Sequence, residues 1–160
     1  MSYKEPAWLQ WVKEFHELFD AYVGKTPHIP PQEVQALRVS LLQEELNELK
    51  EAFAQGDIVE MVDALTDLQY VLSGAVLACW VQEIFWDCFD EVHTSNMSKA
   101  CKTREEAEKT AQWYKENKDT DAYIVEKKWV FLVHRVGDHK VLKSINYTPA
   151  HLQKIINNNV

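Results

Sequence analysis

The sequence predicts a mainly α-helical protein, with a four-helix core and a small helix plus β-hairpin inserted in its C-terminal part. Three observations support this. Apolar residues recur every three or four positions through the first 92 residues. Only the segment 122–135 alternates in the manner of strands. The chain has 160 residues, of which 46% are hydrophobic, and this is enough for one domain with a buried core.

The first two helices are predicted from apolar spacing and from their ends. Residues 5–23 carry one apolar stripe, formed by Trp8, Val12, Phe15, Phe19 and Val23. The connector 24–31 contains three prolines and ends this helix. A second helix is expected over residues 32–55, with Gly56 as its C-terminal cap. Its core stripe is formed by Leu42, Leu46, Leu49 and Phe53.

The next two helices follow from a capping signal and a long apolar stretch. Asp57 is the expected N-cap of a third helix over residues 58–80, with Glu60 as its partner in a variant capping box. This helix is apolar nearly all round, and Gly74 within it would let a neighbouring backbone approach closely. A fourth helix is expected over residues 82–92.

The remaining segments differ from the first four helices in composition and residue pattern. A capping box of Thr103 and Glu106 opens a helix over 103–117. The segment 122–135 is rich in β-branched and aromatic residues and predicts a hairpin that turns at residues 126–128. Residues 140–147 are expected as a short strand or extended arm. A last helical segment is expected at 148–156, with Thr148 as N-cap and Pro149 in its first turn.

The composition excludes several classes of function. The net charge is −8, from 25 acidic and 17 basic residues, which argues against binding to a nucleic acid polymer or an anionic membrane. The longest apolar run, residues 70–81, is too short to span a bilayer. Three cysteines without CxxC spacing indicate reduced thiols in a cytoplasmic protein.

An acidic cluster is the strongest chemical signal in the sequence. Glu44, Glu45 and Glu48 are neighbours on the second helix, where like charges repel. Asp63 and Asp67 share a face of the otherwise apolar third helix, where unpaired carboxylates are costly. A short turn makes the two helices antiparallel neighbours, so that the acids can meet. A set of oxygen ligands without His or Cys favours Mg²⁺ or Mn²⁺. The alternative interpretation, that the acids only form a solvated surface of the helices, stays open.

These residues also resemble a known family. "EELNE" (44–48) followed by "DALTDLQYV" (63–71) resembles the EExxE…ExxD pattern of the all-α nucleoside triphosphate pyrophosphatases. That superfamily includes MazG-like proteins, dimeric dUTPases and phosphoribosyl-ATP pyrophosphohydrolase. Blocks similar to its phosphoribosyl-ATP-pyrophosphohydrolase-like branch occur in order at 12–19, 37–52, 63–77, 89–100 and 140–152.

The resemblance implies a fold, a reaction and a set of metal ligands. It implies a four-helix core and hydrolysis between the α and β phosphates of a nucleotide, with Mg²⁺ or Mn²⁺ as cofactor. Glu44 is the expected catalytic residue, which orients or deprotonates water. Ala64 stands where the family has glutamate, and Asp63 is the expected substitute. The expected metal ligands are Glu45, Glu48, Asp63 and Asp67.

Substrate-binding residues are expected mainly in the motif blocks that follow the core. Arg38 either binds a phosphate or pairs with an acid, and both alternatives stay open. Tyr147 either stacks on a base or belongs to the core. His93 is expected to be structural. The expected substrate-binding residues are Arg38, Asn96, Lys99, Lys140, Lys143 and Tyr147.

The expected organisation is a core with one insertion. Residues 1–100 and 140–160 form the core and C-terminal arm, and residues 101–139 form the αββ insertion. A homodimer, possibly paired into a tetramer, is expected because four such apolar helices cannot all be covered in one subunit. The preferred activity is hydrolysis of a (deoxy)nucleoside triphosphate in nucleotide-pool housekeeping. The alternatives are hydrolysis of phosphoribosyl-ATP in histidine biosynthesis and a non-catalytic helical interaction protein.

Overall fold

The structure is a computed structural model that describes residues 7–159. It is mainly helical with one small hairpin, which confirms the predicted fold class. The helices are α1 (Ala7–Leu18), α2 (Gln32–Gln55), α3 (Ile58–Cys79), α4 (Gln82–Met97), α5 (Arg104–Lys118) and α6 (Leu152–Asn159); the strands are β1 (Ala122–Lys127) and β2 (Val130–Arg135). The described chain divides into two compact units, residues 7–85 and 86–159.

The first unit is built around the α2–α3 helical hairpin. Gly56 caps α2 with a φ of 69°, a left-handed conformation that glycine adopts without strain. Asp57 then caps α3, because its carboxylate accepts hydrogen bonds from the backbone N–H groups of Val59 and Glu60. Both caps were predicted. Helix α3 packs against both α1 and α2, with a core formed by Leu9, Val12, Val76 and Leu77.

The predicted apolar stripe of α1 is buried only at Val12. The helix buries Leu9, Val12 and His16, whereas Trp8, Phe15 and Phe19 from the predicted stripe are 46%, 43% and 63% exposed. Apolar residues lie on two faces of this segment, and contact with Val76 and Leu77 of α3 decides which face is buried. The helix ends at Leu18 rather than at residue 23, and its predicted start at residue 5 lies outside the described residues.

The predicted core stripe of α2 is also only partly buried. Leu42 and Leu49 are half-buried, but Leu46 is 40% and Phe53 is 60% exposed. Helix α3 as a whole is long and apolar enough to cross a membrane by length and composition, although the run 70–81 alone is not. Core helices of soluble proteins meet the same criterion, and α3 lies between two packed helices.

The second unit joins α5 to the hairpin. Strands β1 and β2 are antiparallel, and the pair Lys127–Val130 leaves a two-residue turn of Lys128 and Trp129, instead of the predicted turn at 126–128. Thr103 caps α5 as predicted. The arm at 140–147 makes one isolated bridge, from Val141 to His134, and forms a turn at residues 145–146. The core consists of Cys101, Ala107, Val133 and Leu142.

Two further helices differ from prediction in their bounds. Helix α4 continues to Met97 instead of ending at residue 92, so Asn96 lies on its last turn and not in a following loop. Helix α6 begins at Leu152, four residues after the predicted cap. The reason is that residues 148–151 are held by hydrogen bonds to α4 and to Ser98, the residue that follows it. The N–H of Thr148 donates to Ser98 Oγ at 3.0 Å, and the N–H of His151 donates to the Glu91 carboxylate at 2.8 Å.

Candidate active site

The α2–α3 hairpin brings the predicted acids into one electrostatic neighbourhood. Glu45 and Asp67 are half-buried, whereas Glu44, Glu48 and Asp63 are exposed. Burial raises the pKa of Glu45 most, and the negative charges of Asp67, Glu48, Glu44 and Asp63 raise it further. The other four predicted acids therefore all act on the carboxyl group of Glu45.

The Glu45 carboxylate suits a cation. Its Oε2 atom is buried and has no hydrogen-bond partner within residues 7–159. A buried acceptor without a partner costs free energy, and a divalent cation would satisfy it and relieve the repulsion around it. No three His, Cys, Asp or Glu side chains in the described part of the chain already stand close enough together to hold a metal ion. The acids are thus neighbours without a closed coordination shell.

Ala64 is one of the most buried residues of the first unit. It is 2% exposed, and it stands where the family pattern has glutamate. Asp63, the adjacent residue, is exposed, and its charge reaches Glu45. The exposed Glu60 lies in the first turn of α3, and its backbone N–H donates a hydrogen bond to the Asp57 carboxylate that caps the helix. The role of Asp63 as the substitute acid stays a prediction.

Arg38 is buried beside His16 and Gly74, where α1, α2 and α3 meet. Arg38 is 9% and His16 is 3% exposed. A Cβ atom on Gly74 would lie 2.9 Å from Arg38 Nη1 and 3.0 Å from His16 Nε2. Two side chains therefore occupy the space at Gly74, and not a neighbouring backbone as predicted.

The Arg38 guanidinium has no acidic partner among residues 7–159. No salt bridge to it occurs there, and its Nε atom is buried without a hydrogen bond. Of the two alternatives that the sequence left open, pairing with an acid is not seen within the described chain. Arg38 also helps to lower the pKa of His16, after burial as the larger cause.

His16 is a residue that the sequence analysis missed. Its Nδ1 atom lies 3.2 Å from the carbonyl oxygen of Tyr22, and this bond opposes the lowering of its pKa. The available signal was its spacing, because it follows Val12 by four residues and Leu9 by seven. A histidine on the buried face of a helix was not distinguishable from the exposed polar residues around it.

Four of the predicted substrate-binding residues come together in the second unit. Lys99 Nζ donates to Asn96 Oδ1 at 2.6 Å, and Lys143 Nζ lies 4.3 Å from the centroid of the Tyr147 ring. Ser95 Oγ donates to the Tyr147 hydroxyl at 3.0 Å. The pKa of Tyr147 is lowered, first by this hydrogen bond and then by the charges of Lys143 and Lys99, with burial opposing.

Lys140 does not join this group. Its backbone N–H donates to Asp138 at 3.2 Å, and its side chain makes no hydrogen bond, ion pair or ring contact in the described structure. Tyr147 is half-buried and hydrogen-bonded, so its hydroxyl is held in place by Ser95. His93 is exposed on α4.

Comparison with known proteins identifies the family. A family model described as phosphoribosyl-ATP pyrophosphohydrolase matches residues 12–96, more than half of the chain. The match includes the five acids, Arg38 and Asn96, but ends before the lysines of the second unit and before the hairpin. No curated protein matches the chain. This chain belongs to the phosphoribosyl-ATP pyrophosphohydrolase family, within the all-α nucleoside triphosphate pyrophosphatase superfamily.

Proposed function

We propose that this protein is a metal-dependent nucleoside triphosphate pyrophosphohydrolase that acts in the cytoplasm on the nucleotide pool. It would cleave between the α and β phosphates of a (deoxy)nucleotide and release the monophosphate and pyrophosphate. The observation that carries the proposal is the buried, unpartnered Oε2 atom of Glu45, among four carboxylates that raise its pKa. Membership of the family supports the same kind of reaction.

The acids of the α2–α3 hairpin have two different roles in this proposal. When bound, Mg²⁺ or Mn²⁺ neutralises phosphate charge and lowers the pKa of a coordinated water. Glu45, Glu48, Asp63 and Asp67 would hold the metal. Glu44 is exposed at the edge of the cluster, so its carboxylate is free to accept a proton from the attacking water as the new P–O bond forms.

Cationic and polar groups would bind the phosphates and the base. Arg38 supports this role because its guanidinium is buried and unpaired in the described chain. In the second unit, Asn96, Lys99, Lys143 and Tyr147 form a connected group with two ammonium charges. Lys140 stays a proposed phosphate contact on the basis of its motif block alone.

The family match favours a second candidate, phosphoribosyl-ATP, as the substrate. Pyrophosphate release from dNTPs, dUTP and phosphoribosyl-ATP, each measured with Mg²⁺ and with Mn²⁺, distinguishes the two candidates. We expect turnover of at least one nucleoside triphosphate. Turnover of phosphoribosyl-ATP alone would establish the second candidate. Absence of turnover on every nucleotide contradicts both and favours a non-catalytic helical interaction protein.

The metal ligands are tested by binding rather than by activity. Mn²⁺ should raise the melting temperature of the protein, because a ligand that binds only the folded state stabilises it. Glu45→Gln and Asp67→Asn should each abolish that shift. Glu51→Gln is a matched control, since Glu51 is an exposed glutamate on the same helix. If both ligand variants keep full Mn²⁺ binding, the ligand assignment is wrong.

A homodimer is part of the proposal. Trp8, Trp11, Val62, Leu65 and Tyr70 line an open apolar depression of about 450 Å³ on the first unit. These side chains are between 38% and 63% exposed. Monomeric proteins rarely leave a continuous apolar surface exposed to solvent. A second copy of this chain would cover them. Light scattering after size-exclusion chromatography should give twice the mass of 18.7 kDa, or four times if dimers pair.

A further inference from the structure

A pocket of about 920 Å³ lies in the second unit, next to the turn of the hairpin. The end of α4, the start of α5, both strands and the C-terminal arm line it. Most of its lining lies beyond residue 96, outside the match to the family model. Its volume falls within the range of about 300–1,000 Å³ that is typical of small-molecule sites.

The pocket is strongly basic in a chain with a net charge of −8. Lys99, Lys102, Lys127 and Lys128 line it, and none of them forms a salt bridge within residues 7–159. Glu126, the acid beside Lys127, is already paired with Arg104 at 3.2 Å. Four ammonium groups without a salt bridge around one pocket favour an anionic ligand.

The one carboxylate in the described lining is also engaged. Glu106 accepts hydrogen bonds from Ser144 Oγ and, at 2.9 Å, from the backbone N–H of Lys102. Burial opposes its ionisation, but these bonds and one from Asn146 outweigh burial and lower the pKa of Glu106. Neutral donors therefore hold most of its charge at the wall of the pocket, the charge of Lys102 contributes least, and none of the four lysines forms a salt bridge with it.

The pocket also has an aromatic and apolar side. Trp129 in the hairpin turn is 80% exposed, with Lys128 Nζ 5.6 Å from its ring centroid. Val130, Leu132 and Val141 continue this side of the lining. An exposed indole next to cations suits a flat base, because every nucleobase stacks on an aromatic ring. A bare inorganic anion would leave this side unused.

We propose that this pocket binds a nucleotide, with its phosphates on the four lysines and its base on Trp129. The binding needs no metal, since the protein itself supplies the positive charge. It also does not depend on the hydrolytic activity proposed above, because the acids of the α2–α3 hairpin take no part in it. The nucleotide is either the substrate itself or a second nucleotide that regulates the protein.

Titration calorimetry in EDTA tests the proposal without interference from a metal site. ATP should bind to the metal-free protein, and inorganic triphosphate should bind more weakly. Lys127→Ala with Lys128→Gly should weaken ATP binding about tenfold or more. Lys118→Ala is the matched control, because Lys118 is exposed on α5 and does not line the pocket. Equal ATP affinity in the lysine variant and the control would overturn the proposal.

The Lys128→Gly change separates binding from folding. Lys128 has a φ of 59°, a conformation that costs other residues about 1–2 kcal/mol and glycine almost nothing. This substitution should therefore keep or raise the melting temperature while it removes one charge. A loss of ATP binding with an unchanged melting temperature thus identifies loss of a ligand contact.

Trp129→Ala tests the base contact and the identity of the nucleotide. It should weaken ATP binding about tenfold and leave the affinity for inorganic triphosphate unchanged. An increase of KM in parallel would show that the substrate occupies the pocket, and an unchanged KM would show a second nucleotide. If the protein hydrolyses no nucleotide, the binding measurements alone still test whether the pocket binds ATP. No ATP binding to the wild-type protein in EDTA would refute the pocket's function.

Discussion

The Arg38 guanidinium lies against Gly74, so that a methyl group on Gly74 would come within 2.9 Å of Nη1. His16 lies on the same spot, with its Nε2 atom 3.0 Å from that methyl position. One residue from each of α1, α2 and α3 thus meets at this point of the first unit. The contact places a buried cation two helical turns before Glu45 on α2.

Gly74→Ala should destabilise the protein. In an exposed helix this change is stabilising by about 1 kcal/mol, because alanine is the better helix former. Here the added methyl group overlaps two buried side chains, and we expect the free energy of unfolding to fall by about 1–3 kcal/mol. Urea unfolding of the variant and the wild type measures the difference.

A double-mutant cycle shows whether Arg38 is the cause. Removing the Arg38 side chain by Arg38→Ala makes room for the methyl group, so Gly74→Ala should cost less in that background. Additive effects of the two substitutions would show that the close contact does not constrain position 74. His16 would then remain the residue to test.

The stability of the protein should depend on pH through His16. Burial, and then the charge of Arg38, lower its pKa below the ordinary value of 6.5. The unfolded chain therefore binds more protons than the folded protein below about pH 6.5, and stability falls as the pH drops from there towards the lowered pKa. His16→Gln should flatten this slope between pH 7.5 and 5.5 in urea unfolding.

The matched control for His16 is His93→Gln, since His93 is exposed on α4. The slope of the free energy of unfolding against pH should be the same in this variant as in the wild type. If His93→Gln flattens the slope and His16→Gln does not, the buried site is not the source of the pH dependence.

Glu45→Gln should stabilise the metal-free protein. Burial and the surrounding carboxylates raise the pKa of Glu45 above its ordinary value of 4.5. The folded protein therefore loses stability as the pH rises through the range from 4.5 to the raised pKa, and this loss is complete above it. Glutamine removes the charge and the repulsion, so the free energy of unfolding in EDTA at pH 7.5 should increase.

The effect of Glu45→Gln should reverse when Mg²⁺ is added, because the wild type gains stability from the metal and the variant does not. The exposed Glu51→Gln serves again as control and should change stability little in either condition. A variant that is less stable than the wild type in EDTA would show that Glu45 is held by favourable contacts and not by a cation.

The parts of the fold that could be predicted from the sequence were those with local signals. Gly56 and Asp57 end one helix and begin the next through their own conformations, and both are where the pattern placed them. The acids could be identified because like charges at helical spacing are unfavourable without a partner. The buried face of α1 was predicted only in part, since two faces carry apolar residues and contact with α3 selects between them.

Features built from distant segments could not be predicted. The basic pocket joins Lys99 and Lys102 to Lys127 and Lys128, and only the fold brings these pairs together. The start of α6 depends on hydrogen bonds from residues 148 and 151 to Ser98 and to Glu91 of α4, which no local pattern reveals. His16 and Arg38 likewise come from separate helices, so neither residue alone indicated that the two side chains are buried side by side.

Ser144→Ala should destabilise the second unit through Glu106. Ser144 is 4% exposed, and its hydroxyl donates to the Glu106 carboxylate and accepts from the N–H of Asn146 at 2.9 Å. Alanine removes both bonds, so the free energy of unfolding at pH 7 should fall by about 1–3 kcal/mol. Thermal or urea unfolding measures this loss.

Acidification should narrow the difference between Ser144→Ala and the wild type. The lowered pKa of Glu106 contributes stability above its ordinary value of 4.5, and this contribution is lost as the pH falls through the lowered pKa. The variant has already lost part of this contribution. Its free energy of unfolding should therefore fall less than that of the wild type between pH 7 and pH 3.5. A constant difference across this range would show that the Ser144 hydroxyl stabilises the fold through Asn146 and not through the Glu106 charge.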